Sequence, residues 1–249
     1  MAFIHEIDEI TEVYGNTETP RLIMSCEHAS NRIPFDHDLS DEEQMILQDH
    51  WGWDIGISEL TKTLCDNLNA LSVHARFSRL VCDANRDPSH PTLVLSEADG
   101  VNLSFNGQGD NIQQSRLDKY HIPYHGRLEQ LLQKQLEHRP ILLSMHSFTP
   151  VWKHHLRQMD IGVLFDIEAP LNQGLFKALR KSFFAAQNQP YSGQNGMMYS
   201  ATRHGQHFGL PYLELEVNQH LLSTPERITQ VANAMTPCFE QWLGELAAR

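Results

Sequence analysis

Apolar positions along this chain follow two rhythms. Short unbroken runs, Leu22 to Met24 and Ile141 to Leu143, predict buried strands, and Ile161 to Phe165 predicts another. Ile55, Ile57, Leu60, Leu64 and Leu68 recur at helical spacing and predict a helix from Asp54 to about Asn69. Ser40 followed by Asp41, Glu42 and Glu43 is a cap with an acidic first turn, so a further helix is expected over 41–49. Between them the polar stretch from Ile4 to Pro20, with the turn pair Gly15 and Asn16, predicts an irregular arm.

Further on, Leu71 to Phe77 has strand character, and Ser78 to Pro88 is expected to add a second strand closing in a polar turn. Residues 100–110 read as a loop, 113–120 and 123–136 as helices, and 173–186 as an amphipathic helix. His121 and His125 share an i, i+4 spacing, but Pro123 between them argues against a regular helix through both. Residues 190–209, with four glycines, predict a long functional loop in which Tyr191, Arg203 or His204 could close over a ligand. Leu210 to Asn218 alternates apolar and polar residues, which puts Glu214 and Glu216 on one face of a half-buried strand. A last helix opens at Thr224 and Pro225 and is expected to break or kink before Pro237. Strands alternating with helices predict an α/β fold in three layers, a mixed and mainly parallel sheet with helices on both faces.

Composition narrows the function. The 249 residues, 41% hydrophobic and 20% charged, suffice for one large core and predict a single domain over 1–249. A net charge of -12 argues against a partner that is nucleic acid or an anionic membrane surface. The start of the chain has no secretory pattern, no run is long enough for a membrane helix, and Cys26, Cys65, Cys82 and Cys238 form no zinc-finger spacing. A cytoplasmic protein with reduced thiols is expected.

Candidate chemistry clusters at strand ends, where open α/β sheets build their sites. Glu27 and His28 follow the first buried strand, and His146 and Ser147 end another. Each histidine alone is a weak signal; two strands of like character ending in histidine are a stronger one. Asp54 stands at a helix start, where it could serve as a cap or as a ligand. Arg79 and Arg86 bracket Asp83 and Asn85, and such a pair either forms structural ion pairs or grips a carboxylate.

The ordered set Glu27-His28, Asp54, Ser78-Arg79, Asp83 to Arg86, Tyr124 to Gly126, His146-Ser147 and Leu215 to Val217 resembles the N-formylglutamate amidohydrolase family over about 21–220. That family is similar to the zinc carboxypeptidase-like fold of aspartoacylase and succinylglutamate desuccinylase. The resemblance implies a zinc-dependent amidohydrolase, with zinc or another divalent metal as cofactor. Its partner would be a small acidic N-acyl amino acid, with N-formyl-L-glutamate, an intermediate of histidine catabolism, as the leading case. It implies His28 and His146 as ligands and Glu216 as the base that moves a proton from the activated water to the leaving amine. Arg79 would polarise the scissile carbonyl, and Asn85 and Arg86 would bind the substrate carboxylate. The relatives place a glutamate three residues after the first histidine; here Asn31 stands there. The third ligand is then Asp54 first, with Glu27 and His125 as alternatives. A metallopeptidase or cell-wall amidase on the same scaffold, and a non-catalytic binder of an acidic metabolite, are the rival readings, and the oligomeric state is left open.

Overall fold

The computed structural model describes residues 3–107 and 111–247. β1 (Phe3–Ile7), β2 (Thr11–Asn16), β3 (Leu22–Cys26), β4 (Leu71–Ala75), β7 (Ile141–Phe148), β10 (Ile161–Leu164), β11 (Ala185–Gln187) and β12 (Tyr212–Asn218) form one sheet in the order β1-β2-β4-β3-β7-β12-β10-β11. Two small ladders stand apart, β5 (Glu97–Ala98) with β6 (Val101–Asn102) and β8 (Val151–Trp152) with β9 (His155–Leu156). β4, β3, β7 and β12 run parallel at the centre, β1 and β2 meet their neighbours antiparallel, and β10 runs antiparallel to β12 but parallel to β11. The sheet is therefore mixed, and its central strands are buried on both faces, which is why β3 and β7 open on continuous apolar runs.

Helices cover both faces. α2 (Ile57–Leu68), α5 (Pro170–Leu179) and α7 (Pro225–Ala247) bury Leu60, Leu175 and Phe239 against Met24, Met145 and Leu215. On the other face α1 (Asp41–Gln48) and α4 (Ile122–Gln135) bury Ile46 and Leu128 with Ile23, Val73 and Leu142. α6 (Tyr199–Phe208) packs beside β7 and β12 on that same side. No helix among the described residues is long and apolar enough to cross a membrane, and all four cysteines are buried and unpaired.

The expected α1 is present with a full capping box: Ser40 accepts from the Glu43 amide and Glu43 accepts from the Ser40 amide. Other expectations change. The arm over 4–20 is the β1–β2 hairpin, whose partly exposed edge lacks the apolar run of a central strand. Ser78 to Pro88 forms turns instead of a strand; Leu80, Val81 and Cys82 are buried in the core on the α1 and α4 side of the sheet. The helix expected over 173–186 begins earlier, at Pro170, and stops at Leu179, so that Ala185 can join the sheet beside Ile161. The loop expected over 190–209 is half helix, since α6 starts at Tyr199. α7 runs unbroken past Pro237. Within the loop expected over 100–110, residues 108–110 lie outside the described part. Between α3 (Ile112–Arg116) and α4 the chain makes a π-turn over Leu117–His121, with Pro123 tolerated in the first turn of α4.

Gly205 lets α6 approach the sheet. A Cβ built there would sit 2.0 Å from a ring atom of Tyr212, so the clash decides the sign against the roughly 1 kcal/mol that alanine gains over glycine in a helix. Gly205→Ala is expected to destabilise the protein by about 1–2 kcal/mol, read as a lower urea midpoint; an unchanged or higher midpoint would show that the approach is not tight.

Candidate active site

The carboxyl ends of the four central parallel strands carry the site. Register does the first part of the work. β7 and β12 pair in parallel with His146 opposite Glu216 and Ser144 opposite Glu214, so all four side chains fall on one face of the sheet. β3 ends beside them, and the chain leaving it places Glu27 against Ser144 and His28 against Asp83.

Two loops then close on these strands. The Asp54 amide donates to the His28 carbonyl at 2.9 Å, which fixes the segment before α2 next to β3. Asp54 is not the cap of α2; Gly56, in a left-handed conformation, holds that position. Its carboxylate is thereby released to face inward, where Oδ2 lies 2.9 Å from His146 Nδ1 and 3.5 Å from His28 Nδ1 and accepts from the Ser147 amide at 3.1 Å. His28, Asp54 and His146 offer ligand atoms all within 4.8 Å of one another, and all three residues are buried. Behind them, His28 Nε2 pairs with Asp83 Oδ1 at 2.7 Å, and His146 Nε2 lies 3.0 Å from Ser144 Oγ and 3.3 Å from Glu27 Oε2.

The second loop, Ser78 to Arg86, brings the arginines. Arg79 Nη2 donates to Asp83 Oδ2 at 3.0 Å, and its Nη1 lies 3.6 Å from Asp54 Oδ1. Arg86 Nε lies 3.6 Å from the same Asp83 oxygen, while Nη1 meets only the weak acceptor Met197 Sδ at 3.6 Å. Asn85 lines the cavity, but its amide is already engaged: Nδ2 faces Glu214 Oε2 at 3.2 Å, and Oδ1 accepts from the Ser200 amide at 3.0 Å. These groups enclose a cavity of about 120 Å³, also lined by Tyr191 and Glu216. Among the described residues, Glu216 Oε2 is buried without a hydrogen-bond partner, and so is His28 Nδ1.

Charge follows from this crowding. Burial opposes ionisation of Asp54, yet His28 and His146 hold its carboxyl well below the ordinary range. Burial pushes Glu216 well up, with Asp54 and Glu214 adding to it against the pull of His146. Glu214 is pushed up to about 7 by burial, His146 opposing and Glu27 adding. Burial works against a charged His146, but Glu214, Asp54 and Glu27 raise its pKa well above that of a free histidine. The spot favours a positive charge, whether a proton or a metal ion supplies it.

Several sequence candidates fall elsewhere. Glu27 is a buried partner of Tyr124, Ser144 and His146 and does not line the cavity. His125 faces away: Nε2 meets the Ala84 carbonyl at 2.9 Å and Nδ1 meets His204 Nε2 at 2.8 Å. His121 Nε2 donates to the Arg86 carbonyl at 2.9 Å, so the histidines buttress the 83–86 turn from behind. Asn31 pairs with Gln48 away from the cavity, and Arg203 pairs with Glu129. Of the residues expected to close over a ligand, Tyr191 alone lines the cavity. Sequence reasoning missed Asp83 as the partner of His28 and Glu27 as the partner of His146; the acidic residue inside the arginine-bearing turn was the available signal for the first.

A family model for N-formylglutamate amidohydrolase matches residues 20–223. Among solved structures, the gene product Atu2144 from Agrobacterium tumefaciens is 24% identical, covers 96% of each chain and superposes with a TM-score of 0.88. An N-formylglutamate amidohydrolase from Ralstonia eutropha JMP134 is 19% identical over 93% of this chain and 96% of that one, with a TM-score of 0.69. These likenesses show a shared fold. No match was found among curated proteins.

The histidines behind the turn give a pH dependence. Burial, with Arg203 adding to it, holds His204 down to about 3, and burial together with His121 holds His125 well below its ordinary value. Both are neutral in the folded protein, whereas the unfolded chain takes up their protons below about pH 6.5. Their contribution is therefore present above that pH and is lost on acidification toward pH 3, by up to about 1.4 kcal/mol per histidine per pH unit. Urea unfolding at pH 7.5 and 5.5 is expected to show a loss about 1 kcal/mol smaller in His204→Gln than in the parent; equal losses would mean that His204 is already protonated in the fold.

Proposed function

The chain belongs to the N-formylglutamate amidohydrolase family, and from that premise we propose that it is a metal-dependent hydrolase of small N-acyl amino acids, with N-formyl-L-glutamate as the reference substrate to assay first. The observation that carries the proposal is the convergence, in one small cavity, of His28, Asp54 and His146 with an unpartnered carboxylate oxygen of Glu216.

The donor set fits a zinc-like cation: two imidazole nitrogens and a carboxylate oxygen, an orphaned Nδ1 on His28, and a carboxylate pairing with the far nitrogen of that histidine. His28, Asp54 and His146 would hold it. A divalent cation supplies Lewis-acid polarisation of an amide carbonyl and a water whose pKa falls to about 7.

The chain's own residues do the rest. Glu216, fixed on β12 and lining the cavity, takes a proton from the attacking water and returns it to the departing nitrogen. Arg79, steadied by Asp83, faces the reacting carbonyl oxygen as charge develops there. Arg86, whose Nη1 meets only a sulfur acceptor, binds the carboxylate of the amino acid. Asn85 positions instead of binding: its amide ties the turn to β12 and α6, a role different from the one the resemblance implies.

Glu216→Gln is expected to lower kcat by a factor of about 10² to 10⁴ while zinc content, measured by elemental analysis, stays stoichiometric. Asp54→Ala is expected to lose the metal as well as activity. Protein that binds no divalent cation, or a Glu216→Gln enzyme as fast as the parent, would overturn the mechanism.

A further inference from the structure

Asp54, Arg79, Asp83, Arg86, Ser147 and Tyr191 line the inner cavity and also line a second chamber of about 410 Å³. The rest of that chamber has a different character, with Trp51, Leu80, Leu95, Phe148 and Trp152 supplying apolar and aromatic surface. Trp51 comes from the turn after α1, Phe148 and Trp152 from the end of β7 and from β8, and Tyr191 from the segment before α6.

These remote pieces form one wall. The Trp51 and Trp152 ring centroids are 6.0 Å apart, and His50 lies 5.2 Å from the first and 6.1 Å from the second. The Arg157 guanidinium sits 5.5 Å from the rings of Trp152 and Tyr191 and 5.6 Å from that of Phe148, joining the β8–β9 hairpin to the Tyr191 segment. A wall held in this way is formed before any ligand arrives.

Charge and size say what it takes. Arg79 and Arg86, the lysine and arginine side chains lining the chamber, are shared with the inner cavity and lie beside Asp83; Glu97 and Asp99 are the carboxylates found in the chamber alone. A second carboxylate extending into this space would meet acids. An apolar cavity of about 150 Å³ is enough to hold benzene, so about 410 Å³ has room for a ring and its linker. A formyl group would leave nearly all of it to water.

Orientation follows from which residues line which space. Glu216, which returns the proton to the departing nitrogen, and Asn85 line the inner cavity alone, so the amine half of a substrate lies inward and the acyl half points past Asp54 and Arg79. We propose that the outer chamber is a subsite for an aromatic ring carried on the acyl side of the substrate, so that N-arylacyl amino acids are better substrates than N-formyl ones. This rests on the hydrolase reading given above.

The test compares kcat/KM for N-formyl, N-acetyl and N-phenylacetyl derivatives of glutamate and of alanine, using metal-loaded parent, Trp152→Leu and Trp152→Phe. It also measures binding of phenylacetate by quenching of tryptophan fluorescence. The parent is expected to prefer phenylacetyl over formyl by at least about tenfold, and Trp152→Leu to lower the phenylacetyl-to-acetyl ratio about tenfold, with Trp152→Phe keeping most of it. A formyl substrate used as well as the phenylacetyl one, or a ratio that Trp152→Leu leaves unchanged, overturns the subsite and leaves the hydrolase standing. Phenylacetate binding that weakens in Trp152→Leu, without hydrolysis of any amide, supports the subsite and overturns the hydrolase reading. Neither hydrolysis nor binding overturns both.

Discussion

Glu27, Asp54, Asp83, Glu214 and Glu216 all lie buried near two histidines and two arginines. A carboxylate taken out of water costs several kcal/mol unless charge or hydrogen bonds meet it, so each of these groups limits where its neighbours can stand. The parallel register of β7 and β12 sets His146 beside Glu216, and the loop after β4 must then deliver Asp83 to His28 and Arg79 to Asp83. Loops that would be free to vary on an ordinary surface are fixed here by the electrostatics of the strand ends.

That dependence explains what was legible in the sequence. His28 and His146 could be found because each follows a buried apolar run, and the alternation around Glu214 and Glu216 fixed their common face. Asp54 stood out only through a family pattern and a helix start; nothing local tells that Gly56 takes the cap and frees the carboxylate. The partners of Glu27, Tyr124 and Ser144, are about 100 residues away and leave no trace near it. Trp51 and Trp152 are invisible as a pair for the same reason. The misread elements share a cause too: the β1–β2 hairpin is a partly exposed sheet edge, and α6 is glycine-containing and polar, so packing decides what local pattern does not.

Behind the 83–86 turn the structure is as ordered as in front of it. His121 and His125 hold the carbonyls of Arg86 and Ala84, and Ser200 at the start of α6 holds Asn85. The turn that carries Arg86 is thus fastened to two helices and to β12, a backing suited to holding a charged ligand in one orientation.

The π-turn over Leu117–His121 has a consequence for how this backing came together. One residue more than a regular turn rotates everything before it by about 100° relative to everything after it, since each residue of an α-helix advances by that angle. α3 therefore keeps its own phase, with Gln113 on the Pro88 carbonyl and Arg116 on that of Phe105, while α4 keeps another, with Tyr124 on Glu27 and His125 on the Ala84 carbonyl. A single straight helix would have one phase for both tasks. The bulge lets one run of helix hold the loop between Pro88 and Phe105 with one face and the 83–86 turn with another.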